Sequence, residues 1–129
     1  MWRDEISRRL LDLLTARGHA VLHPAVRGED EIDERYPDVA VARTPASVFK
    51  ADQCALAVEV GRERGAAWYA AHGVPEYWLV VQVPGDAEIE IRVLGDAGYR
   101  TERVVRLSLL RQEWECDGRP ATSRPTSSA

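Results

Sequence analysis

Two acids stand out by their surroundings. Asp38 follows Pro37 at the head of the apolar run Val39-Ala40-Val41-Ala42, and Glu59 lies inside Ala55-Leu56-Ala57-Val58-Glu59-Val60, just before Gly61. Both runs have the length and β-favouring composition of strands, with a loop containing Thr44, Pro45 and Ser47 between them. If the runs pair antiparallel about that loop, positions 38 and 59 fall opposite each other, with Cβ atoms roughly 5 Å apart. Two carboxylates so close repel each other unless a cation or a shared proton lies between them. An unpaired carboxylate inside the Glu59 run would be costly to bury. A hard divalent ion such as Mg2+ takes carboxylate oxygens while keeping several waters, and the pair suits one. Spacing alone leaves plainer alternatives open: Asp38 capping a turn after Pro37, and Glu59 in a salt bridge with Arg62, Arg64 or Arg43.

The elements that must position these acids read as an α/β (α+β) fold, a mixed central sheet flanked by two helices. Ile6, Leu10, Leu13 and Leu14 give a helical stripe over Arg3–Arg17, stopped by Gly18. Val21-Leu22-His23 reads as a short strand before Pro24, and the acidic segment Glu29–Glu34 reads as a solvated loop. After Gly61 the pattern turns helical from Arg62 to His72, with Gly73 and Pro75 as a stop signal. Tyr77-Trp78-Leu79-Val80-Val81 is continuously apolar, as a strand buried on both faces would be. Glu88 to Leu94 alternates, with Ile89, Ile91 and Val93 on one side, and Gly95-Asp96-Ala97-Gly98 closes a hairpin onto a strand from Tyr99 to Leu107. The expected domain is 1–116. From Asp117 the composition shifts to Gly, Arg, Pro, Ser and Thr, which predicts a disordered tail over 117–129.

Composition narrows the function classes. The chain has 129 residues, enough for one core without staples, and a formal net charge of −4, which argues against a tight nonspecific nucleic-acid binder but not against local phosphate contact. No apolar run approaches the ~20 residues of a membrane span, and the N-terminus lacks a signal-peptide stretch, so a cytoplasmic protein without a membrane partner is expected. Cys54 and Cys116 form no CxxC pair and read as inert thiols. Lys50 is the only lysine, so basic catalysis has few candidates. Glu5 lies at the edge of the first helical stripe and is a weak third acid; His23 and His72 read as boundary residues, and Trp68, Tyr69, Tyr77 and Trp78 as packing. The oligomeric state is not set by the sequence, which leaves a homodimer open.

Three segments carry a family resemblance: Tyr36-Pro37-Asp38-Val39-Ala40-Val41, Leu56-Ala57-Val58-Glu59-Val60, and Tyr69-Ala70-Ala71-His72-Gly73-Val74-Pro75-Glu76-Tyr77-Trp78-Leu79-Val80. Together they resemble the Uma-two restriction endonuclease family of the PD-(D/E)XK nuclease-like superfamily, in outline from Trp2 to Leu107. The resemblance implies a restriction-endonuclease-like core and an endonuclease that hydrolyses DNA phosphodiester bonds with Mg2+ or Mn2+. It implies that Asp38 and Glu59 hold the metal, with the Val60 carbonyl as a further ligand. The family's lysine is missing. Position 61 and position 65, where it would stand, are both glycine; the serine-bearing loop before the second helix is absent, and Val81 stands where another acid often follows. Lys50, about nine residues from Glu59 along an extended chain, lies out of reach. Arg62 and Arg64 are better placed to meet phosphate charge, although an arginine is unfit as a general base. The alternative is a catalytically inactive module of the same fold, kept for binding.

Overall fold

Residues 2–16, 18–28, 34–44, 50–110 and 112 are described in the computed structural model. The apolar run around Glu59 forms a strand that becomes the centre of the sheet. In chain order the elements are helix α1 (Trp2–Thr15), strands β1 (His19–Leu22), β2 (Val26–Arg27), β3 (Glu34–Arg35) and β4 (Val39–Ala42), a 3-10 turn (Ala51–Gln53), β5 (Cys54–Val60), helix α2 (Ala66–Ala71), and β6 (Glu76–Val83), β7 (Asp86–Gly95) and β8 (Gly98–Arg106). Six strands make one mixed sheet in the order β1-β4-β5-β6-β7-β8, and β2 pairs with β3 in a separate ribbon. Within this sheet, among the described residues, β5 and β6 run parallel and the other neighbours antiparallel. That is a mixed α/β (α+β) architecture, as the sequence leads one to expect.

Strand alternation divides the interior into two layers. On one face Val39, Val41, Leu56, Val58, Val60, Trp78, Val80, Ile89 and Ile91 pack with Ile6, Leu10 and Leu14, the stripe of α1. On the other, Ala40, Ala57 and Tyr77 pack with Val26 and with Ala66 and Tyr69 of α2. Tyr77 and Trp78, adjacent in sequence, go to opposite layers, which is why β6 reads as apolar throughout.

Several boundaries differ from the sequence expectation. The second helix begins at Ala66, not Arg62: Gly61 has a φ of +105°, and residues 62–65 form a loop whose amides are drawn to Glu59. Its other end closes as a Schellman motif: Val74 N donates to the Tyr69 carbonyl at 3.0 Å and Gly73 N to Ala70 at 3.1 Å, with Gly73 at φ +80°. Glu34, expected in a solvated loop, opens β3 and pairs with Arg27. The first strand covers His19–Leu22 and stops before His23. Leu107 is not a strand end. Residues 107–110 are helical, and Leu107 and Leu110 turn into the α1-side core. The expected tail from Asp117, Cys116, and the loop residues Pro45 and Ser47 lie outside the described residues. No described helix is long and apolar enough to cross a membrane.

Candidate functional site

The site forms where β4 runs out before β5 does. Strand β4 pairs with β5 as Val39↔Val58 and Ala40↔Ala57, and carrying that register one residue further sets Asp38 opposite Glu59. The Asp38 backbone is fixed on both sides: its N–H donates to the Val58 carbonyl at 2.9 Å, and its carbonyl accepts from His23 N at 3.0 Å. Beyond Val39 there is no strand to accept the Val60 N–H, and the Asp38 carboxylate does so in its place, Oδ2 lying 2.7 Å away. Both acids are buried, Asp38 at 1% and Glu59 at 2% exposure.

Each carboxylate is held by several donors. Asp38 Oδ1 accepts from Arg3 Nε at 3.1 Å and Arg3 Nη2 at 2.9 Å, and Oδ2 accepts from Val60 N and from Arg64 Nη2 at 2.6 Å. Glu59 Oε1 accepts from Arg64 N at 2.8 Å, Gly65 N at 2.9 Å and the Tyr77 hydroxyl at 2.6 Å. Its Oε2 faces Arg64 Nε at 3.7 Å. Two buried anions are thereby balanced by two guanidiniums, as burial of charge demands.

Arg64 occupies the centre. Its guanidinium touches Asp38 Oδ2, approaches Glu59 Oε2, and donates from Nη1 to the Val60 carbonyl at 3.3 Å. Those are the three groups that the family resemblance assigns to a metal. Partial burial pulls the Arg64 pKa down, but the hydrogen bond and charge of Asp38, and then the charge of Glu59, outweigh it and leave the pKa raised. The guanidinium stays charged and its side chain is 26% exposed, so the position opens to solvent through Arg64 itself. For Tyr77, burial comes first, then its hydrogen bond to Glu59 and that residue's charge, and together they push the phenol pKa well up. Tyr77 therefore acts as a fixed donor.

As a donor set, two carboxylates and a carbonyl are hard oxygen ligands of the kind Mg2+ or Mn2+ takes, and they converge on one cationic position. They fit a divalent ion in kind and in convergence, with a guanidinium standing in that position. No cluster of three or more His, Cys, Asp or Glu side chains is present among the described residues, so any ion here would rely on the carbonyl and water.

The other candidates lie elsewhere. Arg62 is exposed, and only its carbonyl faces Arg64 Nη1, at 3.5 Å. Glu5 is exposed and lines a cleft with Arg9, Gln82 and Asp86 whose lining includes neither Asp38 nor Glu59. Lys50 bridges through its backbone to Arg27, before β5 begins. Position 61 has open space for a side chain but a φ of +105° that disfavours one. At Gly65 a Cβ would stand 3.5 Å from Glu59 Oε2 and 3.1 Å from the Tyr69 ring, so a side chain there would begin beside the acid.

Three site members were not identified from the sequence. Arg3 sits on the polar side of α1, 35 residues from Asp38; Tyr77 reads as packing in an apolar strand; Gly65 contributes only an amide. A hydroxyl in a strand next to an acid-bearing parallel neighbour was the one available signal, because buried Tyr hydroxyls need partners. No protein-family model matches this chain, and no curated protein matches it.

Proposed function

We propose that this protein is a metal-dependent endonuclease of the restriction-endonuclease-like type, hydrolysing DNA phosphodiester bonds with Mg2+ or Mn2+. The observation that carries this reading is the convergence of the Asp38 and Glu59 carboxylates and the Val60 carbonyl on one cationic position, now held by Arg64, at the adjoining ends of β4 and β5. The resemblance of the Asp38, Glu59 and Tyr69–Val80 segments to the Uma-two family points the same way and brings with it DNA as partner; a cytoplasmic location is proposed on the N-terminal sequence, which lacks a signal-peptide stretch. Asp38, Glu59 and the Val60 carbonyl would hold the ion. When bound, it would polarise a phosphoryl oxygen and lower the pKa of a ligated water.

The rest falls to this chain's own side chains. The amides of Arg64 and Gly65 and the Tyr77 hydroxyl fix one oxygen of Glu59 and leave Oε2 turned to the centre. Arg3 and the Val60 amide hold the Asp38 plane. Arg64, with exposed Arg62 two residues before it, supplies positive charge for a phosphate where the family has a lysine. Neither arginine removes a proton at neutral pH, so attack would rely on water already acidified rather than on a side-chain base.

One observation favours a second reading, an inactive nuclease-fold binding module: both Asp38 oxygens are engaged by two donors each, and both lysine positions are glycine. Purified protein incubated with supercoiled plasmid and Mg2+ or Mn2+ separates the two. Nicking that disappears in Glu59→Ala supports the endonuclease. No nicking, with no Mn2+ binding by calorimetry, leaves the binding module.

A further inference from the structure

We propose that Arg64 is a built-in competitor for the divalent cation, a tethered guanidinium that holds the metal position shut until an ion displaces it. The inference rests on the metal-site reading above and concerns how that site is controlled. Three contacts carry it. Arg64 Nη2 lies 2.6 Å from Asp38 Oδ2, Nη1 lies 3.3 Å from the Val60 carbonyl, and Nε lies 3.7 Å from Glu59 Oε2. A guanidinium in that place consumes the lone pairs an ion would need, and its charge cancels the attraction that would draw the ion in.

Among the other donors, the Val60 amide also binds Asp38 Oδ2, at 2.7 Å, but it takes one lone pair of that oxygen and carries no charge to cancel an ion's attraction. Arg3 binds only Oδ1 of Asp38, from the α1 side. Tyr77 and the two loop amides bind only Oε1 of Glu59. The inward oxygens, Oδ2 and Oε2, share one side-chain partner, Arg64, which can leave, while the Val60 amide stays on Oδ2. Arg64 lies on the loop between Gly61 and α2, and its side chain is partly exposed, so it can swing to solvent without disturbing the sheet. Its own amide stays bound to Glu59, which keeps the displaced group near the site.

A seat that is free only a fraction of the time has its apparent affinity lowered by that fraction. Removing the guanidinium should therefore tighten binding by about tenfold or more if the arginine is in place over nine-tenths of the time. The test is isothermal titration of Mn2+ into wild type, Arg64→Gln and the double variant Arg64→Gln/Glu59→Gln, with circular dichroism as the check on folding. Tighter Mn2+ binding by Arg64→Gln, lost in the double variant, is the expected result. Equal or weaker binding by Arg64→Gln, or binding by neither protein, overturns the proposal.

Should Arg64→Gln fail to fold, the wild-type protein answers directly. The Arg64 guanidinium resonances, set by the ion pairs of Nη2 with Asp38 and Nε with Glu59, should move to the solvent-exposed arginine position as Mg2+ saturates; resonances unmoved by Mg2+ overturn the proposal. Failure of the endonuclease reading is distinguishable. Tighter Mn2+ binding without plasmid nicking removes the enzyme and leaves the competitor, whereas nicking with unchanged Mn2+ affinity does the reverse.

Discussion

Asp38 is an anion solvated by the protein rather than by water, and its energetics follow from that. Asp38→Ala strips the acceptor from both Arg3 nitrogens, the Val60 amide and Arg64, leaving the guanidinium of Arg64 beside Glu59 alone. Breaking a buried ion pair costs about 3–5 kcal/mol, and urea unfolding at pH 7 should report a loss of that order. A loss below about 1 kcal/mol, the ordinary worth of an exposed pair, would mean the arginines do not hold the site. Tyr77→Phe removes one of three donors to Glu59 Oε1 and should cost about 1.5–3 kcal/mol, the range for a hydrogen bond to a charged group. Both acids were legible in the sequence because a carboxylate in or at the head of an apolar run has to be compensated. Their compensation was not: Arg3 and Tyr77 come from 35 and 18 residues away, and nothing local marks an arginine on a helix as reaching over the end of a sheet.

At the scale of elements, the strands were readable and the loop that matters was not. Alternation in β7, the continuous apolar run of β6 and the stripe of α1 each report which faces are buried, and the sheet follows from them. Residues 62–65 look helical by composition, yet Glu59 takes the amides of Arg64 and Gly65, and Gly61 turns the chain with a φ of +105°. The two glycines should therefore respond differently to alanine. Gly61→Ala meets no neighbour within 4 Å but must adopt a left-handed backbone, costing about 1–2 kcal/mol. Gly65→Ala is free of that strain at φ −130°, and its cost depends on whether the Tyr69 ring can give way from 3.1 Å. Thermal melts of the two variants, with Mn2+ titration of each, would separate backbone strain from crowding at Glu59. The ribbon of β2 and β3 went unread because two-residue strands carry no periodicity.

Across the whole molecule, buried acids of the neutral kind set the response to alkali. Burial pushes the Cys54 thiol up to about 12 and raises the Tyr69, Tyr77 and Tyr99 phenols, with Glu59 adding to the first two of these phenols. Each keeps its proton in the folded protein at a pH where the unfolded chain has lost it. The stabilisation is thus complete below the ordinary thiol and phenol range, about pH 8.5–10, and is lost as pH rises through that window towards the folded values. Melting temperatures measured from pH 7 to 11 should fall across it, and Tyr77→Phe should flatten the fall. Cys54 should also resist thiol reagents: in a Cys116→Ser background no thiol should react at pH 8 until denaturant is added.

The handover at the end of β4 gives the protein a reporter of its own. Most amide protons in a sheet are guarded by carbonyls, so their exchange with solvent measures how often the strands part. The Val60 proton is guarded by a carboxylate oxygen that also serves Arg64, while its neighbour Gly61 donates to the Val80 carbonyl at 2.7 Å. Exchange at Val60 should therefore follow the state of Asp38, and exchange at Gly61 the fraying of β5 from β6. In Asp38→Ala the first should quicken by far more than the second. Deuterium uptake at this single pair of adjacent residues then separates a disturbed site from a loosened sheet.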